Sequence, residues 1–238
     1  MAEILGLDAF AEVERVIVVA AHPDDLECCC AGVLAKLIAR GVAVVSVNCT
    51  LGDIGAQEDT LPRVTLATAR LAETAAAAHI LGLAETINLG HHDGELVPNM
   101  ELRAQLARLY RITQADTLLT FDPYWPGQIH PDHRAAGQAA IDAYMPSKMP
   151  LYHPEHLRED GAALGKLQRV FLFSTDRDPN VLVDVSDVHA HKLAACKAHV
   201  SQFPKGEESL TWLKEMDAAT GKAAGYGYAE AYRTMNVW

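Results

Sequence analysis

The segment Arg15 to Thr50 reads RVIVVAAHPDDLECCCAGVLAKLIARGVAVVSVNCT. It opens with a β-branched apolar run, Arg15 to Ala21, that stops at the polar His22-Pro23-Asp24-Asp25. Good helix formers fill Cys28 to Arg40, Gly41 supplies a stop, and Val42 to Thr50 repeats the apolar strand signature. Strand, helix and strand in so short a span make a βαβ unit, and the returning helix requires its two strands to be parallel. Parallel sheets are covered on both faces, so helices are expected above and below.

Outward from this unit the alternation continues. Gly52 to Leu61 is a polar loop, Pro62 to Gly82 an Ala-rich helix closed by glycine, and Glu85 to Leu89 a short strand. Met100 to Gln114 reads as a helix, Thr117 to Phe121 as a strand and Arg134 to Tyr144 as a further helix. The fold class is therefore α/β: a Rossmann-like, open, mostly parallel sheet with helices on both faces. Met145 to Lys166, rich in Pro, His and charge, reads as a long surface excursion. Val170 to Ser174 and Val181 to Val185 are expected to form a strand pair, followed by a helix from Ser186 to about Gln202. The tail from Phe203 to Trp238 carries glycines and aromatics with no strong period.

At 238 residues, 50% of them apolar, the chain can bury one substantial core, and a single catalytic domain over residues 1–238 is expected. Lys and Arg number 20 against 31 Asp and Glu, a formal charge of −11, which disfavours nucleic acid and anionic membranes as partners. No run approaches the roughly 20 apolar residues of a bilayer span, and the acidic start has no leader character, so a cytoplasmic location is expected. Five cysteines, three of them consecutive at Cys28, Cys29 and Cys30, suit neither a disulfide framework nor a zinc knuckle. They read as small buried filling in a reducing compartment.

In open α/β sheets the loops at the carboxyl ends of strands form the ligand crevice. Two such loops are dense in chemistry: His22-Pro23-Asp24-Asp25-Leu26-Glu27 after the first strand, and His130-Pro131-Asp132-His133 beyond the strand ending near Phe121. Together they can supply the three N/O ligands of a catalytic zinc and leave a position open. Taken singly, each could equally consist of helix-capping residues.

AHPDD-x-E followed downstream by HPDH resembles the PIG-L or LmbE-like family of zinc-dependent N-acetylglucosaminyl-type deacetylases. Thr50-x-Gly52-Asp53, Arg70-x-x-Glu73, Asp93-Gly94, and Lys192 followed by His199-x-Ser201-Gln202 occur in the family's order. The resemblance covers roughly residues 15–203, leaving a tail at 204–238. It implies a hydrolase that removes an acetyl group from an amino-sugar nitrogen, with His22, Asp25 and His133 holding Zn2+, for which Fe2+ or Co2+ could substitute. It implies Asp24 as general base, His130 as the group facing the developing oxyanion, and Asp132 as the carboxylate that orients His130 and favours its protonated state. Arg70 and Asp93 match sugar-contacting positions, where a surface or inter-loop ion pair is the competing reading.

Glu27 is expected to brace the loop or the first helical turn, and His189, His191 and His199 are not expected to converge on a second metal. An amidase acting on a larger acyl group or a thiol conjugate is the nearest rival. A nucleotide-binding protein is disfavoured because no G-x-G-x-x-G follows the first strand. The expected partner is a small amino-sugar substrate. The excursion and the aromatic tail, with Trp212, Tyr226, Tyr228 and Trp238, also leave room for a homo-oligomer contact or a substrate lid.

Overall fold

The structure, a computed structural model, describes residues 6–56, 59–159, 161–235 and 237. Met1, within the start read as lacking a leader, and Trp238, in the tail reading, lie outside the described residues. Strand β1 (Arg15–Ala20) is central and buried from Val16 onward, as expected of a β-branched run covered on both faces. Helix α1 (Asp25–Ala39) follows, then β2 (Ala43–Thr50), α2 (Arg63–Leu81), β3 (Glu85–His91), α3 (Met100–Thr113) and β4 (Thr117–Phe121). Next come α4 (Pro131–Asp142), α5 (Tyr144–Lys148), β5 (Arg169–Phe173), β6 (Val181–Asp184), α6 (His189–Lys197), α7 (Thr211–Lys222) and β7 (Ala229–Met235).

These strands form one seven-stranded sheet in the order β3-β2-β1-β4-β5-β7-β6. The first five pair in parallel, whereas β7 runs antiparallel to both β5 and β6. Strand order grows from β1 toward β2 and β3, then reverses so that β4 lies on the other side of β1. Right-handed crossovers in opposite directions cover opposite faces. Consistent with that, α6 packs on α1 and α2, while α3 packs on α4 and α5. The reversal leaves a crevice between the carboxyl ends of β1 and β4, and the two histidine-bearing loops leave the sheet there.

Several expectations are corrected. Strands β5 and β6 do not pair, because β7 lies between them. The tail therefore supplies a strand and helix α7, and its Tyr232 is wholly buried against Phe10 and Phe171. Helix α1 starts at Asp25, three residues earlier than expected, because Asp25 and Glu27 in its first turn complement the helix dipole. Helix α4 starts at Pro131, its fixed φ suiting the first helical position, and ends at Asp142. Helix α6 is shorter than expected: Asp184 holds Ser186 in a turn before it, and Glu73 accepts from the Ser201 N–H and hydroxyl at 2.7 Å each after it. The surface excursion contains α5 and a 3-10 turn at Pro154–Arg158.

One polar knot lies inside the packing. Lys192 is fully buried and reaches both Asp217 and Glu230 at 2.9 Å, and His189 reaches Asp217 at 3.0 Å. Glu230 in turn accepts from the N–H groups of Gly32 and Val33 at 2.9 and 2.8 Å. A Cβ on Gly32 would stand 2.7 Å from Val185 Cγ1, so glycine is what lets β7 and the residues after β6 approach α1 so closely.

Candidate active site

Asp25 sits between the two loops. Its Oδ2 accepts from the N–H groups of Ala21 and His22 at 3.1 and 2.7 Å, which ties it to the end of β1. The same oxygen lies 3.4 Å from His22 Nδ1, and Oδ1 lies 3.3 Å from His133 Nε2. His22, Asp25 and His133 therefore come together, although they are carried by different strand ends.

The outward-facing nitrogens of both histidines are occupied. His133 Nδ1–H donates to Gln128 Oε1 at 3.1 Å, which turns its Nε2 toward Asp25. Phe121 stacks on one face of this ring at 3.9 Å and His130 on it at 4.4 Å, so its orientation is set by packing. His22 Nε2–H faces Asp93 Oδ1 at 3.1 Å and Asp132 Oδ2 at 3.3 Å. A ring held by a carboxylate or amide at one nitrogen presents the other as a ligand, the usual arrangement around protein-bound metals.

Charge tells the same story. Burial alone would depress the His22 imidazolium, but the Asp25 charge and hydrogen bonds to Asp132, Asp25 and Asp93 outweigh it and push its pKa up to about 12. Burial would raise the Asp25 carboxyl, yet His133 and His22 hold it well below its ordinary range. A pocket that binds a proton so strongly holds excess negative charge, and a divalent cation competes for that place. His22, His130 and His133 also offer ring nitrogens within 4.8 Å of one another. The donor set of imidazoles and carboxylates fits a transition cation such as zinc.

Asp24 stands beside this set without joining it. Its φ of 101° is a left-handed value rare for a residue with a Cβ, and such strain, of order 1–3 kcal/mol, clusters at functional sites. Arg70 Nη2 lies 3.2 Å from Asp24 Oδ1 and also donates to the Pro23 carbonyl, while Nη1 donates to the Gly52 carbonyl at 3.0 Å. Burial raises the Asp24 carboxyl, Arg70 pulls it back and Asp25 raises it again, to about 7. Arg70 lies on the inner face of α2 with Leu66, Thr74 and Ala77 and is only 3% exposed. It ties the loop after β1 to the loop after β2 beneath the crevice.

Two further expectations meet a different geometry. The Asp132 carboxylate does not reach His130. It accepts from the N–H groups of Gly94 and Leu96 at 2.7 and 3.2 Å, as well as facing His22, and so clamps the loop after β3. His130 instead caps α4, its Nδ1 accepting from the Asp132 N–H at 3.2 Å. Burial, with His133 and His22 nearby, lowers the His130 pKa, and with Nδ1 taken as an acceptor Nε2 is the nitrogen left to donate. Asp93, 6% exposed, is held by Asp53, whose Oδ1 accepts from the Asp93 N–H at 2.9 Å.

Glu27 pairs with buried His199 at 3.3 Å, bracing α1 as expected, and Cys30 is buried while Cys28 and Cys29 are partly covered. His189 pairs with Asp217 and His199 with Glu27, so the two rings sit in separate polar knots. Residues that sequence reasoning missed are Gln128, which also donates to Ser174 Oγ at 3.2 Å, and the Lys192 partners Asp217 and Glu230. A glutamine two residues before HPDH is the only signal for the first, and nothing in the sequence marks the others.

A cavity of about 540 Å³ lies beside the first turns of α1, lined by Cys28, Cys29, Trp125, Ser174, Leu182 and Met216 among others. A larger hollow, about 800 Å³, lies at the opposite end of the sheet around Glu14, Gly41 and Asp116, where open α/β folds do not bind their substrates. Among the described residues, no helix is long and apolar enough to cross a membrane.

Residues 17–144 match the family described as PIG-L: GlcNAc-PI de-N-acetylase. The chain is 33% identical over 228 residues to diacetylchitobiose deacetylase of Thermococcus kodakarensis, covering 95% of this chain and 85% of that protein. It is 29% identical to 1D-myo-inositol 2-acetamido-2-deoxy-alpha-D-glucopyranoside deacetylase of Streptomyces scabiei, covering 81% of this chain and 77% of that one. The solved N,N'-diacetylchitobiose deacetylase of Pyrococcus horikoshii superposes with a TM-score of 0.89 at 31% identity, covering 95% of this chain and 85% of that one.

Proposed function

The chain belongs to the PIG-L (GlcNAc-PI de-N-acetylase) family, and from that premise we propose that it hydrolyses the N-acetyl group of an N-acetylglucosamine-type amino sugar or its conjugate. The observation that carries the reading is a histidine and carboxylate cluster with one further carboxylate, Asp24, beside it and paired to Arg70.

His22, Asp25 and His133 would hold the metal, taken as Zn2+. When bound, that cation acidifies a water and polarises the amide carbonyl. Asp24, balanced near neutral pH between its two forms, accepts the water's proton and returns it to the departing amine nitrogen. His130, whose Nδ1 is taken by the Asp132 N–H, would offer Nε2–H to the developing oxyanion. Asp132 and Asp93 hold His22, Asp132 also keeps the loop after β3 in place, and Asp93 is the carboxylate for a sugar hydroxyl. Arg70 acts through Asp24 as a positioning residue. Five free cysteines support a reducing, cytoplasmic setting.

The cavity beside Cys28 and Cys29 supports a second reading, removal of an acyl group larger than acetyl. Acid release from matched N-acetyl and N-hexanoyl glucosamines, with and without chelator, separates the two. Asp24→Asn is expected to retain zinc and lose about 10²–10⁴-fold in turnover. Near-normal turnover in that variant would remove Asp24 as the base, and a wild type indifferent to chelator would remove the metal.

A further inference from the structure

The excursion between α5 and β5 carries a second cluster of ligand-type side chains. His153, Glu155 and His156 each offer one ligand atom, and the three atoms lie within 4.8 Å of one another. His153 Nδ1 meets Glu155 Oε1 at 2.7 Å, and the two imidazoles lie nearly parallel with centroids 4.9 Å apart. Two imidazoles and one carboxylate are a donor set for a borderline divalent cation.

Two observations point beyond an ordinary surface ion pair. His156 Nδ1 is buried and has no hydrogen-bond partner, an uncommon condition for a ring nitrogen. His153 has φ 46°, a left-handed value that a residue with a Cβ adopts at a cost, and this conformation starts the 3-10 turn that brings His156 round to it.

The platform beneath is rigid. Arg111, wholly buried near the end of α3, donates to the carbonyls of Pro146, Ser147, Met149 and His153 at 2.7–3.1 Å. Its charge is answered by those carbonyls, and Glu155 and Glu159 stand near His156. Because α3 runs back against the strands, its end lies at the amino end of β4, across the sheet from the His22 crevice. The cluster is separate from the catalytic centre.

We propose that His153, Glu155 and His156 form a second divalent transition-metal site, which takes zinc and fastens the excursion onto the end of α3. Water would fill the remaining coordination positions, as in any three-ligand surface site.

The test counts zinc bound at equilibrium dialysis by the metal-loaded wild type and by a His153→Ala/His156→Ala variant. The expected result is one equivalent fewer in the variant, with unchanged activity on the N-acetyl substrate. Since the difference is what is read, the outcome does not depend on whether the His22 cluster holds a metal. Cu2+ titration of the unaltered protein, followed by NMR, is expected to broaden the His153 and His156 side-chain resonances at substoichiometric metal. Equal zinc counts in the two proteins, or copper that leaves both resonances sharp, would overturn the proposal.

Discussion

Gln128 stands two residues before His130 and fixes the Nδ1–H of His133, so the tautomer of a candidate ligand depends on a residue outside either motif. Replacing it by leucine frees that nitrogen, and metal affinity is expected to fall by about 10–100-fold in chelator competition. Unchanged affinity would show that ring stacking alone orients His133. Asp53 acts one step further out. Burial would raise its carboxyl, but Arg63, the Asp93 N–H and His92 outweigh that and hold it far below its ordinary value. A depressed folded pKa adds stability that is present above the unfolded value of about 3.9 and is lost as pH falls through it toward the folded value. Asp53→Asn is therefore expected to be less stable than wild type at neutral pH, with the gap in denaturant midpoint closing below about pH 4; a gap independent of pH would contradict the assignment. At this scale the two loops that carry HPDD and HPDH were legible, because neighbours in sequence share a loop. Asp132 was not, since a carboxylate beside His130 can turn either way, and only the loop after β3 drew it to Gly94, Leu96 and His22.

Helix α1 carries the site at its first turn and is held at its middle by Glu230 of β7, which is itself paired with Lys192 of α6. Removing one member of a buried charge cluster leaves the others without compensation, a cost of about 3–5 kcal/mol. Lys192→Met is expected to lower the unfolding free energy by that order in urea denaturation, and a loss below about 1 kcal/mol would mean that the cluster relaxes to water. Elements with clean periodicity, such as β1, α2 and β4, were readable to within a residue or two. Helices α1 and α4 began earlier than the apolar pattern suggested, because acidic residues and proline at a helix start are governed by dipole and dihedral preferences that leave no hydrophobic period. Helix α6 was overread because the partners that hold its flanks in turns, Glu73 among them, lie beyond its own local pattern.

Across the whole molecule the last strand is the consequential one. Strand β7 separates β5 from β6 and buries Tyr232, so a chain ending at Gly225 would expose the edge of β5 and open the core. Such a truncation is expected to aggregate and to show no cooperative thermal transition; a soluble product with a sharp transition would make β7 dispensable. By itself the sequence determined the α/β alternation, the parallel half of the sheet and the two loops that hold the chemistry, since these follow from local periodicity and from residue types adjacent along the chain. Only the tertiary structure decided which strands are neighbours, and hence that the loops after β1 and β4 meet at the point where strand order reverses. It also decided which partners His22, His130, Arg70 and Asp132 take. Strand order and hydrogen-bond partners are set by contacts between residues far apart in the chain, where several pairings satisfy the same local pattern and burial selects among them.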